Sequence, residues 1–153
     1  MANVPSFIPI VSLINVSSKA GAATFGKLKK LKILKAKSKK FKALKPPKGT
    51  GHNYHVFQNN QIDWKFKYKG ETNLDRALRG RAPIVKDGNK YRRVELHHFK
   101  QNAKGPLMEL TTKQHDMPGL HPHGRNKHPT NPVDRKLFAK DRKAYWQWRA
   151  SLV

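Results

Sequence analysis

At 153 residues the chain suits one modest domain with an extension. Its 33 Lys+Arg against 9 Asp+Glu leave a formal net charge of +24. That field attracts polyanions, nucleic acid first among them, without separating a nuclease from an architectural protein. The absence of cysteine excludes disulfides and thiolate-held zinc, so any metal must be held by His, carboxylate, phosphate or water.

Residues 1–26 are mildly apolar around Phe7-Ile8-Pro9-Ile10-Val11. The run is shorter than the roughly twenty apolar residues of a spanning helix and carries prolines. Its positive charge follows the apolar stretch, the reverse of a signal peptide. No transmembrane segment is expected, and the stretch reads as part of a longer parent protein. From Lys27 to Lys48, lysines alternate with Leu, Ile, Phe, Ala and Ser, and no acidic residue precedes Asp63. Blocks of like charge repel and stay disordered alone. Residues 1–50 are therefore read as a basic, partly disordered linker that contacts phosphates or an anionic surface, and residues 51–153 as the folded domain. Trp64, Phe66 and Tyr68 alternate with Lys65, Lys67 and Lys69 at strand period, which predicts an aromatic packing face.

Thr72 with Asp75 forms a capping-box pattern, and Gly80 marks the end of the short helix it starts. Arg76, Arg79 and Arg81 lie on or beside that helix. Ile84-Val85, a turn at Lys86-Asp87-Gly88-Asn89, and Tyr91 to Leu96 predict a β-hairpin, since Asp-Gly supplies the positive φ of a tight turn. Arg93 belongs to the second strand, and His97-His98 to its end. Thr111 or Thr112 can cap a helix carrying His115, which Pro118-Gly119 interrupts before His121 and His123. Asn131 as cap and Pro132 in the first turn predict a C-terminal helix, with Asp134 near its positive end. Leu137, Phe138, Tyr145, Trp148 and Leu152 form its apolar stripe. Arg135, Arg142 and Arg149 lie on another face, to touch a phosphate backbone or to keep the helix soluble.

Histidine is both a common neutral metal ligand and a base near pH 7. Phosphodiester hydrolysis needs both tasks within a few ångströms. Adjacent histidines at a strand end can supply both if a turn or bulge lets the rings diverge. Glu95 shares the His97 face by alternation, placed to orient a ligand or an arginine, or to form an ordinary salt bridge.

Glu95-Leu96-His97-His98 together with Leu110-Thr111-Thr112-Lys113-Gln114-His115 and Leu120-His121 resembles the HNH/endonuclease VII superfamily, most closely the Leu-His-His branch found as tips of bacterial polymorphic toxins. The resemblance runs from about Gly70 to the C-terminus. It includes Thr72 to Gly80, Ala82-Pro83-Ile84, Asp87-Gly88, Phe99-Lys100-Gln101, Pro106 to Glu109, Tyr145-Trp146 and Arg149. It implies an α+β fold with a ββα-metal (His-Me finger) core, flanking helices and a basic N-terminal extension. It also implies one divalent ion (Mg²⁺, Zn²⁺, Mn²⁺ or Ni²⁺) held by His97, His115 and His121, with His98 as general base and Glu95 in support. Arg76, Arg79, Arg81, Arg93, Arg142 and Arg149 would meet nucleic acid, expected to be double-stranded DNA. A toxin tip further implies delivery from a producing bacterium into a rival's cytoplasm, with an acidic immunity protein as partner.

Two departures stand out. Many members place the late ligands at H-x-x-x-H, one helical turn apart on one face. Here His115 and His121 are six apart, which a continuous helix would send to different faces. The Leu-His branch shows such an interrupted spacing, which favours His121, with His123 as the alternative. Colicin-type members also carry an asparagine that orients the base histidine, and the matching position here is Pro106. Gln101 and Asn102 are its candidate replacements. Competing readings are a noncatalytic basic nucleic-acid-binding module with a structural metal, and a phage or mobile-element HNH enzyme without an immunity partner.

Overall fold

The computed structural model describes residues 21–35 and 40–153. Its sheet is built on β3 (Asn53–Asn59), the longest strand. On one side β3 pairs antiparallel with β1 (Leu34–Lys35) and β2 (Lys40–Lys42). On the other it pairs parallel with β9 (Leu107–Leu110), which in turn pairs antiparallel with β8 (Glu95–His98). β8 is thus an edge strand.

Side-chain alternation divides the core in two. From one face, Tyr54, Val56 and Leu107 pack with Phe138, Tyr145 and Trp146 of α4 (Arg135–Ser151). From the other, Met108 and Leu110 pack with Leu28, Leu34 and Leu120. Leu28 belongs to α1, whose described part spans residues 21–30.

This packing corrects the expected domain boundary. Leu28, Leu34, Phe41 and Ala43 are all buried, so the described part of the lysine-rich segment is folded into the domain. Lysines there alternate with apolar residues, and the apolar partners reach the core while the ammonium groups stay in water. The expectation for residues 1–20 lies outside the described residues.

The expected capping box is present: the Thr72 side chain accepts from Asp75 N, and helix α2 (Asn73–Leu78) follows. Gly80 then adopts φ +76°, and a Cβ there would sit 3.1 Å from the Lys143 carbonyl oxygen of α4. The hairpin also forms, from β6 (Ile84–Asp87) and β7 (Lys90–Arg93), turning at Gly88 with φ +67°. It stops earlier than expected, at the Ile84–Arg93 pair. Val94 N still donates to Pro83 O, but proline has no N–H to return the bond. The ladder ends there, so the two histidines leave the hairpin and join the main sheet as β8.

Two further expectations are corrected. The Trp64–Tyr68 run is mostly a turn, because Asp63 accepts from Lys65 N through its side chain and from Phe66 N through its carbonyl. Only β4 (Lys67–Tyr68) is strand, paired with β5 (Glu71–Thr72). The cap of α4 is Asp134 rather than Asn131, accepting from Lys136 N and Leu137 N. Its buried face comprises Phe138, Asp141, Tyr145, Trp146, Arg149 and Ala150, rotated from the expected stripe. No helix among the described residues is long and apolar enough to cross a membrane.

Candidate metal centre

His97 pairs with Met108 and Glu95 with Leu110 across the β8–β9 ladder, so both acidic and imidazole groups stand on the α1 face of the sheet. After β9 the chain enters α3 (Thr112–His115), started by a capping box between Thr111 and Gln114. His115 is the last helical residue. The helix stops there, Gly119 takes φ +82°, and Leu120 is buried at 1% exposure. Its burial anchors the returning loop, which presents His121 to His115. The strand–strand–helix unit expected of a ββα-metal core is therefore β8–β9–α3, and not the β6–β7 hairpin.

His97, His115 and His121 each offer one ring nitrogen, all within 4.8 Å of one another. The Nε2 atoms of His115 and His121 are 3.2 Å apart. Two imidazole nitrogens at about 2.0–2.1 Å from a tetrahedral ion lie roughly 3.4 Å apart, so this pair already has ligand spacing. His97 Nε2 is buried without a hydrogen-bond partner, an arrangement that costs free energy unless a donor or a cation faces it. Glu95 Oε2 lies 3.6 Å from His115 Nδ1, the place from which a carboxylate orients a metal-binding histidine. The residues thus fit a divalent ion bound by three imidazoles.

Electrostatics favour neutral rings at His97, His98 and His121. Burial first, then the nearby His115, His121 and His98, pushes His97 down to about 3. His121 is lowered by burial and by His115. His98 is pushed down to about 4 by burial, with His52 and Arg135 adding to the effect. No bulge separates the two β8 histidines, so strict alternation sends the His98 ring to the α4 face. There it lies edge-on to Phe138, at 4.3 Å between ring centroids, and to Tyr54 at 5.6 Å. His98 is also the final residue of the edge strand, 6% exposed, and its Nε2, like that of His97, is buried without a hydrogen-bond partner.

His123 lies outside the cluster, its ring 5.0 Å from His128. Neither Gln101 nor Asn102 bonds His98. Gln101 bonds the backbone of His123 and Gly124, and the Asn102 side chain accepts from Lys104 N. Glu71 gathers Arg79 at 2.8 Å, Arg81, and Arg76 at 3.8 Å. Arg79 and Arg81 remain largely exposed, whereas Arg76 is mostly covered and donates to Ala82 O. Arg93 and Arg142 are exposed.

Arg149 corrects the expectation. It is 7% exposed and donates to Glu109 at 2.8 Å, so it does not meet nucleic acid. Tyr145 Oη and Asn59 N also donate to the Glu109 carboxylate, and the Asn59 amide reaches the Glu109 carbonyl and Gln114. This network ties β3, β9, α3 and α4 behind the site. Sequence reasoning assigned no role to Asn59 or Gln114; the only signal was an amide at the end of a strand and another at the third position of a capped helix. His52, near His98, carried no distinguishing pattern.

No solved structure matches the chain. Over residues 72–151, more than half of its length, it matches the family described as a nuclease of the HNH/ENDO VII superfamily with conserved LHH. The Leu-His-His in that span is Leu96-His97-His98, the segment that carries the first histidine of the cluster. The chain belongs to this family of the HNH/ENDO VII nuclease superfamily, whose substrate class is nucleic acid.

Proposed function

We propose that the protein is a metal-dependent endonuclease that hydrolyses phosphodiester bonds of double-stranded DNA. One observation carries this reading: imidazoles from the edge strand, the helix and the following loop of a ββα unit bring ring nitrogens within 4.8 Å of one another, and the buried His97 Nε2 among them has no hydrogen-bond partner. A divalent ion bound there would supply Lewis acidity for phosphodiester hydrolysis. His97, His115 and His121 would hold it, with Glu95 placed beside His115 to orient its ring. His98 takes the proton as a water oxygen bonds to phosphorus and the P–O3′ bond breaks. Because His98 and the cluster lie on opposite faces, the substrate phosphate must approach at the end of β8 and uncover the buried His98 Nε2 to meet both. Arg79, Arg81, Arg93 and Arg142 supply exposed charge for flanking phosphates.

Resemblance of the Leu-His-His stretch to polymorphic-toxin tips supports a further reading. The protein would act in the cytoplasm of a rival bacterium after delivery from its producer. The charge of +24 suits neutralisation by an acidic immunity protein. Purified protein incubated with plasmid and with RNA, in Mg²⁺, Mn²⁺, Ni²⁺, Zn²⁺ or EDTA, tests the activity. Metal-dependent plasmid cleavage is expected. Tight metal uptake with no cleavage of either polymer would instead favour a structural metal in a binding module.

A further inference from the structure

We propose that Gln101 is a positioning residue that sets the metal affinity of the histidine cluster by clamping the loop that carries His121. The proposal rests on the metal-binding reading above. Its starting point is that His121 is an exposed residue on a loop, and no helical periodicity fixes it relative to His115. A ligand displaced by even an ångström no longer closes a site, so something must hold its backbone.

On the N-terminal side that hold is Leu120, buried in the core. On the C-terminal side the chain turns back at once, Gly124 N donating to His121 O at 3.0 Å with Gly124 at φ +57°. Gln101 grips this turn with both ends of its amide. Its Oε1 accepts from His123 N at 2.7 Å, and its Nε2 donates to Gly124 O at 2.9 Å. The two bonds reproduce what a neighbouring strand would offer, across more than twenty residues of sequence.

The backbone bearing Gln101 is itself unusual. Lys100 and Gln101 take φ of +55° and +59°, consecutive left-handed positions without a glycine. L side chains disfavour this region, and such residues persist where surrounding contacts over-determine them. Here Phe99 N donates to Pro106 O at 2.9 Å and the Phe99 ring packs 5.1 Å from Phe25. The left-handed pair redirects the chain after His98 so that the Gln101 side chain meets the loop. His97 and His121 are thereby coupled through a single connection three residues beyond the Leu-His-His. Only glutamine satisfies both loop groups: asparagine is one methylene short, and glutamate cannot donate to Gly124 O.

The test uses the full chain with Zn²⁺ as probe. Gln101→Ala and Gln101→Glu are compared with the parent by Zn²⁺ calorimetry, by amide exchange across residues 121–124 in metal-free protein, and by thermal midpoint. Gln101→Ala should bind Zn²⁺ about 10- to 100-fold more weakly, in the range of lost outer supports of metal ligands. The His123 amide should lose protection in Gln101→Ala and keep part of it in Gln101→Glu, while the thermal midpoints stay close to the parent. Folded variants with parent-like Zn²⁺ affinity would overturn the proposal. If Gln101→Ala does not fold, parent-like affinity in Gln101→Glu overturns it equally. A parent that takes up no Zn²⁺, Ni²⁺ or Mn²⁺ would sink the metal reading itself, whereas a binding parent with indifferent variants sinks only the clamp.

Discussion

Neighbouring residues on a strand project to opposite faces, so His97 and His98 share a peptide bond and almost no surroundings. His97 sits among ligand candidates, His98 between Tyr54 and Phe138. Substitutions should therefore separate their roles. His98→Ala should slow plasmid cleavage about 10²- to 10⁴-fold, the usual worth of a positioned base, while calorimetry finds metal affinity nearly unchanged. Near-normal turnover would remove His98 from the mechanism. In the same titration His121→Ala should lose metal affinity and His123→Ala should not, because the His123 ring is turned to His128; the opposite result would reassign the third ligand. Among the arginines, Arg79→Ala should lower the slope of log affinity against log salt by roughly 0.9, as one phosphate contact does.

At the scale of elements, β8, β9 and α3 hold the site while α4 braces it from behind. The brace depends on Glu109, fully buried, and Arg149. Removing one member of a buried ion pair strands the other's charge, typically at a cost of about 3–5 kcal/mol. Arg149→Ala should accordingly shift the urea midpoint far down, and the double change Glu109→Gln with Arg149→Met should recover much of the loss. Equal midpoints for Arg149→Ala and the parent would show that the pair does not brace the fold. What the sequence made legible here follows the range of the forces. The Thr72 cap, the Gly88 turn and the cap of α3 are fixed by residues within three or four positions; the first two form as read, and of Thr111 and Thr112 it is Thr111 that caps. The end of the hairpin hung on Pro83 lacking an N–H opposite Val94, visible only once register is known. Arg149 looked like a surface cation because its partner lies 40 residues away on another element. His121 was legible through family resemblance alone, since its approach to His115 depends on a loop that local rules do not specify.

The whole molecule raises the question of what the lysine-rich N-terminal part contributes. Its charge invites the view of a detachable electrostatic arm, but charge and burial are carried there by different residues. Leu28 and Leu34, at 3% and 2% exposure, cover Met108, Leu110 and Leu120 beneath the metal-site face. Phe41, at 3%, packs on Tyr54, Tyr145 and Trp148 on the other side. Thr50 N donates to the buried Asp141 carboxylate of α4 at 3.1 Å, a bond whose loss would leave that charge unmet. Burying a large apolar side chain contributes about 1.5–3 kcal/mol, so Leu28, Leu34 and Phe41 together supply on the order of 5–9 kcal/mol. That is comparable with the roughly 5–15 kcal/mol that holds a whole domain folded. Deleting residues 1–48 should therefore abolish cooperative unfolding and activity together. Replacing the exposed Lys29, Lys30 and Lys42 by glutamine should instead keep the thermal midpoint and weaken DNA binding at low salt. A deletion that still unfolds cooperatively near the parent's midpoint would show that β3, β9, β8 and α4 stand without the N-terminal strands, and that the segment serves as an arm after all.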